Sequence, residues 1–255
     1  MRRGARVAAL AVLVAAAAPA LAYLLPPATV LKRMAQRREE LALASLEVRG
    51  TLAVEGEAAR ALAVATASPL SGSEVLLPAV LTIKAPGRCR LDLLSASGAP
   101  GPFLSLGRGK VAGGKGLERV PAVLALVRAT CALLGTRPAG PDPGRAYADE
   151  LFRLGIALSE DYLAHMGGRV AYVLGAPPRE KKPQAWIDKQ SFQPVRLLAS
   201  FAGPLADVRL VDYGSPVGGD MFPRAVEVFE GGTLSLRLTT EKLAANPKVP
   251  DALFP

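Results

Sequence analysis

The sequence predicts a mainly β protein of the α+β class: a single half-open, strongly curved antiparallel β-barrel of about 11 strands, with helices covering its concave face. Three observations predict this fold. Apolar and polar residues alternate with period two along most of the chain. Gly and Pro pairs interrupt these runs at regular distances, as expected for antiparallel strands joined by turns. One segment in the middle of the chain is apolar on nearly every side, so it must be enclosed or must face a nonpolar cavity as well as the core.

The amino terminus has the features of a secretory signal peptide. Three arginines precede an uncharged apolar stretch, residues 7–18, and Ala20-Leu21-Ala22 supplies the small residues that signal peptidase recognises. We expect cleavage after Ala22, so that residues 1–22 are a signal peptide and the protein is exported. The alternative is an uncleaved anchor, but the apolar stretch is shorter than the roughly 20 residues that span a bilayer.

A helix and a strand are the first predicted elements of the mature chain. Pro26-Pro27 begins a helix from about Ala28 to Leu43, because proline is tolerated at the first helical position. From Leu46 to Val54, Leu and Val alternate with polar residues, which predicts a strand with one buried face. After the turn at Glu55-Gly56-Glu57, a second alternation from Ala59 to Ala67 predicts the other strand of a hairpin.

Three further strands precede a helical insertion. They are predicted at Val75 to Lys84, Arg88 to Ser95 and Phe103 to Leu106. The segment from Pro121 to Leu134 contains a single charged residue, Arg128, and predicts a helix that is either enclosed or faces a nonpolar cavity. A Pro/Gly-rich link separates it from a more polar helix, Arg145 to Leu154.

The strand alternation returns after Ile156. Seven strands are predicted there, at about Ala157 to His165, Arg169 to Leu174, Gln184 to Asp188, Val195 to Phe201, Asp207 to Tyr213, Arg224 to Glu230 and Thr233 to Thr240. No hydrophilic linker divides these elements. We therefore expect one domain, residues 23–255, with a helical insertion at about 121–157.

The charge balance is too mild for a nucleic-acid-binding surface. The chain carries 31 Lys and Arg residues against 22 Asp and Glu residues, and three of those arginines belong to the predicted signal peptide. The one concentrated basic run, Lys32, Arg33, Arg37 and Arg38, lies on the first helix. It is either a solvated helix face or a contact for anionic lipid headgroups or an acidic partner. We expect no nucleic acid as partner, and we include transient membrane-surface contact among the expected interactions.

Side chains for catalysis or metal binding are scarce. One histidine and two cysteines are too few for a zinc site or a His-based catalytic triad. His165 has no nucleophile in its local pattern. Residues 109–116 resemble a phosphate-binding loop, but Gly116 stands where that loop needs Ser or Thr, so a glycine-rich hairpin turn is the simpler interpretation. We expect no enzyme activity, no catalytic residue, no metal and no cofactor.

The two cysteines, Cys89 and Cys131, leave a disulfide open. Exported proteins meet an oxidising environment in which disulfides form. The long spacing between these residues indicates neither a bridge nor two free thiols.

A series of short motifs runs through the mature chain in a defined order. It comprises Lys84-Ala85-Pro86-Gly87 after a strand, the apolar helical insertion, Trp186-Ile187-Asp188-Lys189 with Pro194-Val195-Arg196, Phe222-Pro223, Asn246-Pro247 and Leu253-Phe254. This order resembles the LolA-like superfamily of outer-membrane lipoprotein-sorting proteins over nearly the whole mature chain. The resemblance implies a half-open barrel closed by helices, a nonpolar cavity for acyl chains, and the periplasm of a Gram-negative cell.

One position departs from that superfamily. Its classical carriers have an arginine between the lysine and the proline of the Lys-x-Pro segment, and this arginine holds the helical lid. The present chain has Ala85 there. Arg88 and Arg90 do not occupy the matching position, so the latch role is not transferred to them.

The resemblance implies a periplasmic carrier that binds acyl chains of lipoproteins or lipids in an aliphatic cavity for transfer towards the outer membrane. The expected ligands are lipoprotein acyl chains or phospholipid, and the expected partner is an inner- or outer-membrane protein. We expect the hydrophobic cavity to be lined by Leu52, Val54, Leu91, Leu93, Val123, Val127, Leu236 and Leu238. The same residues could instead form a dry core. The alternative function is a non-enzymatic envelope regulatory or scaffolding module, similar to RseB, that binds a protein partner.

Overall fold

The computed structural model describes residues 24–66, 68–95, 97–107, 110–114, 116–137, 141–201 and 203–255. The predicted signal peptide and its cleavage site lie outside these ranges. The described chain forms an antiparallel sheet of 12 strands that is curled and not closed, with helices in its concavity. The predicted fold class is confirmed.

The strands are numbered in chain order. They are β1 (Ser45–Glu55), β2 (Glu74–Lys84), β3 (Arg88–Leu94), β4 (Pro100–Gly107), β5 (Lys110–Gly113), β6 (Asp161–Met166), β7 (Arg169–Leu174), β8 (Gln184–Asp188), β9 (Pro194–Ser200), β10 (Leu205–Val211), β11 (Ala225–Glu230) and β12 (Thr233–Ala245). The helices are α1 (Pro27–Glu40), α2 (Gly56–Thr66), α3 (Pro121–Thr130) and α4 (Arg145–Arg153). A π-helical turn, Cys131–Gly135, continues α3.

Strands β1 and β12 lie at the centre of the sheet and join two meanders. The strand order is β5-β4-β3-β2-β1-β12-β11-β10-β9-β8-β7-β6. In the central pair Leu52 lies opposite Leu238, and the register shifts between Arg49 and Gly50. A Cβ atom at Gly50 would lie 1.9 Å from the carbonyl oxygen of Thr239, so this close approach of the two strands requires glycine.

Helix α3 lies in the concavity of the sheet. It contacts β3, β4, β10, β11 and β12. Residues 122–127 are all buried, and the half-buried Arg128 is the only charged residue of the helix. Of the two environments predicted for this apolar helix, enclosure by other elements is the one that the structure shows.

The predicted strand Ala59 to Ala67 is wrong, because residues 59–66 lie in helix α2; the last predicted position is outside the described residues. Alanine fits the period-two pattern but has the highest helix propensity of all residues. In the helix, Ala58, Ala59 and Leu62 share one face and are buried against the sheet. The short strand β5, in the segment interpreted as a glycine-rich turn, brings the number of strands to 12.

Candidate functional site

The eight predicted cavity residues all lie in one contiguous core. Each side chain is at most 1% exposed. Leu52 and Val54 of β1 lie opposite Leu238 and Leu236 of β12. The two central strands therefore contribute half of the predicted set to one patch of the concave face.

The other four residues come from β3 and α3. Leu91 and Leu93 face inward from β3, while Val123 and Val127 belong to the helix that contacts this strand and β12. A void large enough for water would expose the atoms that line it, so side chains this deeply buried line no such void. The eight residues pack together in this arrangement. That they contact an acyl chain stays a prediction, and it requires α3 to separate from the sheet.

A cleft of about 920 Å³ lies beside this core. Its volume is within the range of roughly 300–1,000 Å³ that is typical of small-ligand sites. One wall is the β3–β5 end of the sheet with the preceding turn, and the other is the helical insertion. The sheet side comprises Pro86, Gly87, Arg88, Leu106, Gly107, Lys110 and Val111, with Asp251 of the carboxyl-terminal segment. The helical side comprises Arg128, Cys131, Ala132, Thr136, Arg137, Ala146, Asp149, Glu150, Arg153 and Leu154.

The floor of the cleft is continuous with the apolar core. Leu106, Cys131 and Ala132 line the cleft and are also buried members of the interior. The charged lining residues belong to strand ends, helix α3, the segment after the π-helical turn, helix α4 and the carboxyl-terminal segment. The cleft thus combines an apolar floor with a charged rim, and no local sequence pattern predicts it.

A disulfide joins the helical wall to the sheet. Cys89 of β3 and Cys131 of the π-helical turn are bonded, with their Cα atoms 5.7 Å apart. A Cβ atom at Gly135 would lie 3.3 Å from Cys89 Sγ and 3.4 Å from Cys131 Sγ, so the glycine lets the turn pack against the bridge. The disulfide, which the sequence left open, fixes the carboxyl-terminal end of the α3 segment to β3.

Arg38 holds the same end of this segment from the other side. Its guanidinium donates hydrogen bonds to the carbonyl oxygens of Leu134, at 3.1 Å, and Met221, at 2.9 Å. Within the basic run on α1, Lys32 and Arg33 are exposed, whereas Arg38 is half-buried. The sequence leaves the basic run as either a solvated face or a contact for lipid headgroups or an acidic partner, because nothing in the local pattern marks which arginine turns inward.

The residues around Ala85 hold the carboxyl-terminal segment. Asp251 accepts a hydrogen bond from Lys84 and forms an ion pair with Arg88 at 2.8 Å, and Arg90 donates to the carbonyl oxygen of Leu253. The hydrogen bond from Lys84, together with the charge of Arg88, lowers the pKa of Asp251 below its usual range. Arg88 and Arg90 therefore bind the carboxyl-terminal segment, and among the described residues neither forms a hydrogen bond or ion pair with α3.

Two tyrosines lie beside the helical insertion. The Tyr147 hydroxyl donates to the carbonyl oxygen of Thr136 at 3.0 Å, and burial raises the pKa of Tyr147 to about 12. Burial also raises the pKa of Tyr213. Both side chains are therefore neutral at physiological pH.

The described residues offer no assembled metal site, since no three of their His, Cys, Asp and Glu side chains lie close enough to hold an ion. His165 is exposed on β6. Across the ranges that the structure describes, each helix is too short or too polar to cross a bilayer.

No protein-family model and no curated protein matches the sequence. Solved structures do match. A LolA superfamily protein from Nitrosomonas europaea is 14% identical with a TM-score of 0.48, over 91% of this chain and 98% of its own. A DUF1329 family protein from Desulfovibrio piger is 9% identical with a TM-score of 0.44, over the same shares.

A third match is a domain from Vibrio parahaemolyticus described as an outer membrane lipoprotein-sorting protein. It is 14% identical with a TM-score of 0.38, over 87% of this chain and 94% of its own. The Nitrosomonas europaea protein carries the name of the superfamily that the sequence motifs resemble. Similarity at this level identifies no ligand for the present chain.

Proposed function

We propose that this protein is a non-enzymatic periplasmic carrier that takes up acyl chains of lipids or lipoproteins and transfers them towards the outer membrane. The observation that carries the proposal is the cleft of about 920 Å³ whose floor is part of the apolar core. A ligand with an apolar tail can enter there with its polar end at the charged rim. The order of sequence motifs supports the same function.

The acyl chain is proposed to bind between α3 and the sheet. There it contacts the eight residues expected from the sequence: Leu52, Val54, Leu91, Leu93, Val123, Val127, Leu236 and Leu238. All eight are aliphatic and buried in one core, so a hydrocarbon chain can replace contacts between helix and sheet without exposing apolar surface to water. Smooth aliphatic walls impose no directional constraint on such a ligand.

Transfer free energies explain why a carrier is needed. An acyl chain of about sixteen carbons has roughly 15 methylene groups, each costing about 0.8 kcal/mol in water, or about 12 kcal/mol in all. Free diffusion across an aqueous compartment is therefore negligible. The proposed site offsets this cost by exchanging one apolar contact for another, which leaves the affinity low enough for release.

The cleft lies beside the carboxyl-terminal end of α3, so the polar end of the ligand is proposed to stay there while the amino-terminal end of the helix moves away from the sheet to admit the chain. The other end is held by the disulfide to Cys89 and by Arg38. At its amino-terminal end α3 begins with the exposed Pro121 and follows a short 3-10 turn that Gly116, with a φ of 80°, precedes. The helix can therefore separate from the sheet as a hinged segment whose attached end is the π-helical turn.

The location and domain organisation follow from the sequence features. We propose export through the signal peptide 1–22, a single half-barrel domain over residues 23–255, and delivery of cargo to an inner- or outer-membrane protein. The predicted signal peptide supports export. The superfamily resemblance supports the periplasm.

Mass spectrometry of an organic-solvent extract, combined with displacement of a fluorescent fatty acid, tests the function. The purified protein is expected to release acyl lipids into the extract and to bind the fluorescent fatty acid until unlabelled fatty acid displaces it. A clean extract together with no binding of the fluorescent probe would reject the carrier. That outcome would favour the regulatory or scaffolding module that binds a protein partner.

A further inference from the structure

The acidic and basic residues at the rim of the cleft differ in whether they form ion pairs. Its three carboxylates each have a cationic neighbour: Asp251 is paired with Arg88, Glu150 with Arg153, and Asp149 with Arg145. The acidic side of the rim is therefore already neutralised within the protein.

Three basic residues of the same lining have no such partner. Within the described ranges, Lys110, Arg128 and Arg137 form no ion pair with a carboxylate. Lys110 begins β5, Arg128 belongs to α3, and Arg137 follows the π-helical turn. Residues from three separate elements thus direct unpaired positive charge to one cleft.

Among these three residues, Arg128 gives the strongest indication that the cleft binds an anion. It is half-buried and is the one charged residue of an otherwise apolar helix. One of its nitrogens donates to the carbonyl oxygen of Phe201 at 2.7 Å. A guanidinium has five N–H donors, so the donors that do not bind Phe201 can bind a ligand in the cleft. An anion bound there would accept these hydrogen bonds and balance the charge.

We infer that the ligand of the cleft is an anionic lipid, whose phosphate or carboxylate head group binds at Lys110, Arg128 and Arg137 while its acyl chain follows the apolar floor. This inference rests on the proposed function and narrows its substrate class. Arg and Lys bind phosphate and carboxylate oxygens through charge-assisted hydrogen bonds. Leu106 and Ala132, in the same lining, provide the apolar continuation for the chain.

Two fluorescent probes with the same acyl chain of about sixteen carbons test the head-group preference. One is a neutral monoacylglycerol and the other is its phosphate ester. The phosphate ester is expected to bind the purified protein about tenfold more tightly at low salt, which corresponds to about 1.4 kcal/mol. Added salt should reduce this ratio, because it screens the charges at the rim.

The double variant Lys110→Gln/Arg137→Gln is expected to lower the ratio clearly, because it removes two of the three head-group cations while Arg128 remains. Its matched control is Arg179→Gln/Lys181→Gln, which removes the same charge from exposed positions outside the cleft and should keep the ratio of the unmodified protein. Loss of the ratio in both double variants would overturn the assignment to the cleft.

The remaining outcomes separate the inference from the proposed function. Equal binding of both probes to the unmodified protein would contradict the preference for an anionic head group. The proposed carrier function would still stand. If neither probe binds, the proposed carrier function itself is contradicted. If glycerol phosphate alone displaces the phosphate ester, the site binds free phosphate. That result would contradict the inference that its ligand is a lipid.

Discussion

Arg38 and Tyr213 both have polar atoms inside the protein, and they differ in whether those atoms form hydrogen bonds. Arg38 satisfies two carbonyl oxygens and links α1 to the end of the α3 segment. The Tyr213 hydroxyl is buried and has no hydrogen-bond partner among the described residues. A buried polar group without a partner costs about 1–3 kcal/mol, so this hydroxyl opposes folding.

Replacing Tyr213 with Phe is therefore expected to leave the free energy of unfolding unchanged or to raise it by about 1 kcal/mol. The matched control is Tyr147→Phe, which removes a hydroxyl that does donate to the carbonyl oxygen of Thr136. That variant should lose about 1 kcal/mol. Urea denaturation of both proteins measures the difference, and equal losses would contradict the hydrogen-bond assignment.

Helix α3 is the element on which the proposed function depends. The sequence predicts the helix and that it is enclosed or faces a nonpolar cavity, because one charged residue in a long apolar segment leaves no solvated face. Helix α2 was predicted as a strand, since alternating alanines satisfy both periodicities and only packing decides between them. The disulfide and Arg38 lie outside the reach of local patterns, because each joins segments that are distant in sequence.

A pair of matched substitutions tests whether α3 separates from the sheet. Val127 of α3 and Val208 of β10 are both fully buried in the core. Val127→Asp is expected to abolish acyl binding and to keep the strand signal in circular dichroism, because a movable helix can carry the carboxylate to water.

Val208→Asp is the control for this change. Its carboxylate is placed on a central part of the sheet, so unfolding is its only route to hydration and the strand signal should be lost. Equal loss of strand content in both variants would show that α3 is a fixed part of the core.

For the molecule as a whole, the curled sheet can be predicted from the sequence, whereas the cleft cannot. Strands such as β1, β3 and β10 are predictable because alternate residues are buried. The cleft is lined by segments near positions 87, 107, 131, 150 and 251, which only the folded chain brings together. Its rim charges are separated in sequence, so no local motif marks them as one site.

The proposal that an acyl chain binds between α3 and the sheet is tested most directly by photo-crosslinking. The probe is a fatty acid that carries a diazirine in the middle of its chain. After irradiation, mass spectrometry of the digested protein locates the adducts. The account predicts adducts on the inward residues of β1, β3, α3 and β12, such as Leu52, Leu91, Val127 and Leu236, and predicts that excess unlabelled fatty acid suppresses them. Adducts confined to exposed residues such as Val64 and Phe152, with no effect of the competitor, would contradict it.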